Sequence, residues 1–202
     1  GKALTLTVHP VRDHIPIYLA AIGPKNLELC GEIADGWLAI FFSPELAQDL
    51  MTPVIKGRAA RGLTMENFDV VPTVPVVPGD SVEECANHVR PYAALYVGGM
   101  GSKDQNFYNQ LMRRMGFESA ADQIQELFLN KDYQGAAGAV PLEFLDQTSL
   151  LGPVERITER LHAYHEAGVT TLTVASFAGT VEERCGVLRL MTQALNASNI
   201  GD

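Results

Sequence analysis

The stretch IPIYLAAIGPKNLELCGEIADGWLAI, residues 15–40, decides the fold. It begins with a continuous apolar run over 15–21, which is typical of a strand buried on both faces of a parallel sheet. Gly23 and Pro24 end this run, and Pro24 suits the first helical position because it has no N–H to leave unpaired. A helix follows as far as the Asp-Gly pair at 35–36, where the next apolar run begins. The stretch therefore predicts a strand–helix–strand unit.

The alternation of strands and helices continues along the rest of the chain. Further strands are predicted over 37–42, 68–77 and 170–176, and further helices after Ser43 and over 81–97, 154–167 and 181–195. Residues 98–148 form a helical excursion after the third strand, beginning with a Gly-rich loop over 98–101 and holding two or three helices between 106 and 144. Strands and helices that alternate in this way belong to a parallel sheet with helical crossovers. The pattern fits an open doubly wound sheet or half of an eight-stranded barrel.

The composition excludes several classes of protein. Apolar residues make up 47% of the 202 residues, which is too many for a disordered chain. The net charge of −9 and the lack of Lys/Arg runs argue against a nucleic-acid partner. No apolar stretch approaches the roughly 18–20 residues that span a bilayer, so no membrane partner is expected. Three scattered cysteines argue against a disulfide framework and favour a cytoplasmic location.

The stretch over 15–40 resembles a block of the luciferase-like monooxygenases, and it is most similar to the branch that uses the deazaflavin coenzyme F420. In that branch an apolar strand leads into Ala-Ala-x-Gly-Pro, here at 20–24. A helix then ends in Ala-Gly-Glu/Arg-x-x-Asp-Gly, here at 30–36 with Cys30 in place of the usual Ala. Two other segments also resemble the family, 154–161 and 167–170. Two more, 96–101 and 106–109, resemble an actinobacterial subgroup of predicted deazaflavin oxidoreductases.

The resemblance implies an α/β fold that is the C-terminal part, strands five to eight, of a (β/α)8 TIM barrel, with a helical insertion after the third strand of this chain. Residues 1–202 then form a single domain, and Gly1 is not the natural start. The family's acid/base His or Asp would lie in the N-terminal half of the same protein, so no catalytic residue is assigned here. Because an incomplete barrel exposes two sheet edges, we also expect a homo-oligomer.

The turn that follows the first strand is the candidate cofactor site. It leads from the carboxyl end of a strand into a helix, and in barrels this edge carries the active site. Free N–H groups at a helix N-terminus suit a phosphate, although a plain strand–helix turn is the commoner interpretation of the spacing alone. In the family, this turn holds the phosphate and nearby ring atoms of the coenzyme. The resemblance thus assigns to the coenzyme Ile22, Gly23, Lys25 and Asn26, with Ala20 and Ala21 packed beside them.

Candidate substrate residues follow from the same argument. Phe42 and Ser176 lie at the carboxyl ends of their predicted strands, so they are expected to line a substrate pocket. No metal site is predicted, because His162 and His165 lack a closing ligand. The implied function is an F420-dependent oxidoreductase that transfers a hydride between the deazaflavin and a small organic substrate. An FMN-dependent luciferase-like monooxygenase and a non-enzymatic flavin-binding half-barrel are the alternatives.

Overall fold

The computed structural model describes residues 1, 7–9, 11–102 and 104–200. Its strands are β1 (Tyr18–Ala20), β2 (Gly36–Ile40), β3 (Asp69–Pro78), β4 (Leu150–Gly152) and β5 (Thr173–Ser176). Its helices are α1 (Pro24–Ile33), α2 (Ala47–Ala60), α3 (Val82–Ala94), α4 (Phe107–Arg114), α5 (Glu118–Leu129), α6 (Tyr133–Gly138), α7 (Leu142–Thr148), α8 (Val154–Glu166) and α9 (Val181–Ser198). A 3-10 turn, Pro44–Leu46, precedes α2, and a π-helical turn, Leu95–Gly99, follows α3.

The strands form one parallel sheet in which β3 is central. β1 pairs with β2, and β2 pairs with β3. Thr73 of β3 is paired with Ile40 of β2 and also with Thr173 of β5, so β2 and β5 lie on opposite edges of β3. Val76 is paired with both β4 and β5. β4 therefore lies on the same side of β3 as β2 and pairs with β3 beyond the point where the pairing with β2 ends. The predicted α/β class with a parallel sheet is confirmed.

The position of β3 explains how a central strand tolerates two prolines. The backbone N–H and C=O groups of Val70 form hydrogen bonds with Thr170 on the β5 side. The backbone groups of the even-numbered residues of β3 therefore face β5, and those of the odd-numbered residues face β2 and β4. Pro72 precedes the first residue that pairs with β5. Pro75 lies between the last residue paired with β2 and the first paired with β4. Each proline therefore lies at a position where β3 is not paired with a strand on the side that its backbone faces. Proline is tolerated there because no ladder hydrogen bond is lost.

Two hydrophobic cores contact the sheet, one on a face of the strands and one at their carboxyl ends. The first core packs one face of the strands against α1, α2, α8 and α9, and it contains Trp37, Phe42, Val74, Ile157 and Tyr164. The second core is built by α3 to α7 around Phe41. Residues at or near the carboxyl ends of four strands pack against the second core, namely Ile22, Ile40, Val77 and Phe177. The helices of residues 82–148 thus lie over the carboxyl edge of the sheet.

The structure corrects several element predictions. Of the predicted strand over 15–21, only Tyr18–Ala20 forms a strand, because only these residues pair with β2; Ile15 and Ile17 precede it and are exposed. Residues 98 and 99, predicted as loop, belong to the π-helical turn. Four helices, not two or three, occupy 107–148. The sequence analysis missed β4, whose three residues are too few for a recognisable pattern.

Two glycines allow α1 and α2 to approach each other closely. A Cβ atom on Gly31 would lie 2.1 Å from the carbonyl oxygen of Val54, and one on Gly57 would lie 1.9 Å from the carbonyl oxygen of Glu28. Both obstacles are backbone atoms, which cannot move without shifting a helix. The close packing of α1 against α2 therefore requires glycine at both positions.

We predict that Gly31→Ala lowers the free energy of unfolding of the intact gene product by about 3 kcal/mol, because the new methyl group forces the two helices apart. Urea denaturation followed by circular dichroism measures the change. The control is Gly186→Ala in α9, where a Cβ atom meets nothing within 4 Å; a helical alanine there should stabilise the protein by about 0.5–1 kcal/mol. Equal effects of the two substitutions would contradict the close approach of α1 and α2.

Candidate functional site

The turn after β1 presents free backbone donors at the N-terminus of α1. Gly23 is the N-cap residue in an extended conformation, and no side chain caps the helix. Pro24 has no N–H, and the N–H of Leu27 already bonds to the carbonyl oxygen of Gly23 at 2.9 Å. Helix geometry leaves the N–H groups of Lys25 and Asn26 without an intrahelical partner. With no acidic residue in the first turn, these donors and the positive end of the helix dipole suit an anion.

Side chains from two other elements hold the carbonyl groups that precede the helix. The indole N–H of Trp37, in β2, donates to the carbonyl oxygen of Ala21 at 2.9 Å. The guanidinium of Arg114, at the end of α4, donates to the carbonyl oxygen of Ile22 at 3.1 Å. Two successive peptide groups are therefore fixed from outside the turn. Their orientation also fixes the direction in which the first N–H groups of α1 point.

Arg114 adds positive charge beside this helix N-terminus. It lines a cavity of about 310 Å³ together with Ile22, Pro24 and apolar residues of α1, α2 and α4. Burial lowers the pKa of Arg114 from its usual value, yet a guanidinium stays protonated in proteins. Asp49 lines the same cavity, but no ion pair between described residues includes Arg114. The cavity thus has one guanidinium and one carboxylate in its wall, and the two are not paired with each other.

The structure brings the six predicted cofactor residues together in one turn. Ala20 ends β1 and is exposed, whereas Ala21 is buried beside Trp37. Ile22 is half-buried against the second core. The side chains of Lys25 and Asn26 are exposed on the first turn of α1. Their contact with a coenzyme stays a prediction.

Phe42 does not lie where a pocket residue is expected. Its side chain is 1% exposed in the first core, with its ring centroid 6.0 Å from Trp37 and 6.1 Å from Tyr164. The reason is that β2 ends at Ile40 and Phe41 has a positive φ of 49°, so the alternation of side chains is broken there. Phe41 enters the second core in its place. Phe42 is therefore a residue of the first core and does not face a pocket at the carboxyl edge.

Ser176 lies at a cavity, as expected for a residue at the carboxyl end of a strand. The cavity has a volume of about 340 Å³, and its wall includes Phe177, Gly179, His88 and Glu183. The hydroxyl oxygen of Ser176 accepts a hydrogen bond from the N–H of Ala178 at 3.3 Å. Binding of a substrate in this cavity stays a prediction.

Trp37 and Arg114 are the residues that sequence analysis missed at the turn. Trp37 is the first residue of the predicted strand over 37–42, and nothing in the sequence links it to Ala21. Arg113 and Arg114 end a helix, where basic side chains are common because they favour the helix dipole. The basic pair is thus a weak signal, and only the packing of α4 beside α1 gives Arg114 its position.

Other reactive groups give no competing site. Burial raises the pKa of the Cys30 thiol to about 11, so this cysteine is a packing residue and not a nucleophile at neutral pH. The described ranges contain no group of three or more His, Cys, Asp or Glu side chains that could hold a metal ion. Within the same ranges, no helix has the length and apolarity to cross a membrane.

Comparison with known sequences finds one matching family and relatives named for coenzyme F420 or for a reductase activity. A sequence model of the luciferase-like monooxygenase family matches residues 2–171. The chain is 37% identical over 185 residues to a Mycobacterium tuberculosis protein named as a coenzyme F420-dependent oxidoreductase, covering 91% of this chain and 53% of that protein. It is 28% identical to a 5,10-methylenetetrahydromethanopterin reductase of Archaeoglobus fulgidus, covering 82% of this chain and 49% of that protein. The chain spans about half the length of the curated relatives it matches.

A similar fold occurs in a solved structure. The coenzyme F420-dependent tetrahydromethanopterin reductase of Methanopyrus kandleri superposes with a TM-score of 0.71 at 24% identity, covering 89% of this chain and 50% of that one. At this level of identity the likeness concerns the fold alone. It agrees with the α/β architecture described above.

We predict that Trp37→Phe lowers the free energy of unfolding of the intact gene product by about 1–3 kcal/mol, because the buried carbonyl of Ala21 loses its donor. Urea denaturation followed by far-ultraviolet circular dichroism measures the change. Tyr133→Phe, which removes a hydroxyl from an exposed side chain of α6 far from the turn in sequence, is the control and should change stability by less than about 0.5 kcal/mol. A Trp37→Phe protein as stable as the parent would mean that the indole does not hold the turn.

Proposed function

Because the chain belongs to the luciferase-like monooxygenase family, we propose that it is the F420-binding, C-terminal half of an oxidoreductase barrel. It would supply strands five to eight of a (β/α)8 barrel, and the N-terminal half of the same protein would supply the others. The 37% identity to a relative named for coenzyme F420 supports the choice of coenzyme. The length of the curated relatives, about twice the matched region, supports the missing half.

The single observation that carries the proposal is the uncapped turn at the start of α1. A coenzyme phosphate would accept hydrogen bonds from the N–H groups of Lys25 and Asn26, with Arg114 close by as a cation. A Cβ atom on Gly23 would meet nothing within 4 Å, so there is open space where the phosphate would lie. The residues present therefore fit the group.

The chemistry of the reaction would come from the bound coenzyme, whose deazaflavin ring carries a hydride when reduced. The residues of this chain would bind and orient it. Ile22, Gly23, Lys25 and Asn26 would hold the phosphate and nearby ring atoms, and Ala20 and Ala21 would pack beside them. Ser176 would line the pocket of a small organic substrate. The acid/base group would belong to the N-terminal half; homo-oligomer formation and a cytoplasmic location stay predictions.

The test is a fluorescence titration of the intact gene product with coenzyme F420, with FMN titrated in parallel. We predict preferential, saturable F420 binding, and at least a tenfold weakening in Gly23→Val, because the branched side chain would cover the first N–H groups of α1. Gly23 has a φ of −77° and open space around it, so the variant should fold. Gly186→Val, on the exposed side of α9, should bind F420 with the parent's affinity.

Each other outcome assigns the protein differently. Preferential FMN binding would replace F420 by FMN and favour a monooxygenase. F420 binding that Gly23→Val leaves unchanged would contradict the role of the turn. A gene product that binds neither compound would overturn the proposed function and favour a non-enzymatic half-barrel.

A further inference from the structure

Three tyrosines that the proposed function does not use lie together over the carboxyl edge of the sheet. Tyr92 comes from α3, Tyr96 from the π-helical turn and Tyr108 from the first turn of α4. The ring centroids of Tyr92 and Tyr96 are 4.7 Å apart, and those of Tyr96 and Tyr108 are 4.8 Å apart. All three surround Phe41, the residue that follows β2, at centroid distances of 5.8, 5.9 and 6.5 Å.

This group, which we call the tyrosine wall, reaches from one strand end to another. Tyr92 also packs against Phe177, which follows β5, with ring centroids 5.5 Å apart. The wall therefore bridges the carboxyl ends of β2 and β5, on the side of the sheet where the cofactor turn lies. Tyr108 and Arg114 are six residues apart, which corresponds to about 9 Å along a helix.

A buried polar clamp holds the wall in place. Asn106 is 2% exposed, and its side-chain amide donates to the carbonyl oxygens of Tyr96 and Val97 at 3.0 and 2.8 Å. Its side-chain oxygen accepts the N–H groups of Tyr108 and Asn109, both at 3.0 Å. One side chain thus joins the π-helical turn to the start of α4.

The hydroxyl groups are not needed for packing. Phenylalanine would fill the same space, whereas each half-buried tyrosine brings a polar group that needs a partner. Burial raises the pKa of Tyr92, and so do a hydrogen bond to the hydroxyl of Tyr96 and the nearby hydroxyl of Tyr108. The bond between Tyr92 and Tyr96 uses one of their two hydroxyl protons, so the other proton and that of Tyr108 can be donated to a ligand. Burial also raises the pKa of Tyr108, with a further contribution from Tyr96. No charged group of the described chain contributes to either shift, so the phenols are neutral donors in neutral surroundings.

We propose that the tyrosine wall binds the carbonyl or hydroxyl oxygen of a neutral organic substrate beside the cofactor turn. The inference rests on the proposed function for the identity of the reaction, but the binding itself follows from the wall. Phenol hydroxyls donate to an uncharged oxygen, and the aromatic rings of Phe41 and Phe177 favour an apolar substrate body. A carboxylate or phosphate substrate would find no cation in the wall to neutralise it.

The test uses 4-(dimethylamino)cinnamaldehyde as probe, because its visible absorption band moves to the red when a hydrogen bond polarises its carbonyl group. The intact gene product is titrated with the probe, with and without coenzyme F420. We expect saturable binding with a red shift. Tyr96→Phe and Tyr108→Phe should each weaken binding about tenfold, as expected for one lost hydrogen bond, and reduce the shift. Neither should change F420 affinity by more than about twofold.

The matched control is Tyr133→Phe, since Tyr133 lies on α6 against Phe128 and outside the wall. It should leave both the affinity and the band position of the probe unchanged. Tyrosine variants that behave like this control would overturn the proposal, and so would a parent protein that does not bind the probe in either condition. If the probe binds with its red shift but F420 does not bind, the wall stands and the proposed function fails.

Discussion

Two hydrogen bonds from outside fix the turn between β1 and α1. The indole N–H of Trp37 and the guanidinium of Arg114 hold the carbonyl oxygens of Ala21 and Ile22, so two consecutive peptide groups cannot rotate freely. An anion site made of backbone N–H groups works only if those groups already point in one direction, because ordering them on binding would reduce the affinity. The proposed cofactor site therefore depends on a strand residue and on a helix residue 92 positions away from Ile22.

The helices of residues 82–148 connect this turn with the rest of the carboxyl edge. They form the second core, and the residues at the ends of β1, β2, β3 and β5 pack into it. The positive φ of Phe41 is part of the same arrangement, because it sends one phenylalanine into the second core and the next into the first. A bulky residue in the left-handed region is strained, and such strain persists only where the surroundings enforce it. Here the enforcing surroundings are the aromatic rings that meet above β2.

Much of the fold could be predicted from local sequence. The apolar runs and the Gly-Pro and Asp-Gly breaks located three of the four predicted strands to within a few residues, and the family resemblance is confirmed by the match over residues 2–171. β1 was predicted too long, because an apolar run does not show which part of it pairs with a neighbour. β4 was missed because three residues are too few to show the alternation of apolar and polar side chains that marks a strand. How β3 accommodates its two prolines could not be predicted, because the gaps in pairing beside them depend on the arrangement of the neighbouring strands.

The candidate site was predicted less completely, because its support comes from residues distant in sequence. The turn over 20–26 could be located from a motif, whereas the contacts of Trp37 and Arg114 follow only from how β2 and α4 pack beside it. The position of Phe42 was wrong for a pocket because the end of a strand breaks the alternation of side chains. The tyrosine wall gave no sequence signal, since Tyr92, Tyr96 and Tyr108 come from three separate elements.

The most direct test of the central claim is a crystal structure of the intact gene product with coenzyme F420 bound. The account predicts that the coenzyme phosphate lies within about 3 Å of the backbone nitrogens of Lys25 and Asn26, with the Ala21 and Ile22 carbonyls still bonded to Trp37 and Arg114. A coenzyme whose phosphate lies at another helix, or a turn that rearranges and releases both carbonyls on binding, would contradict it.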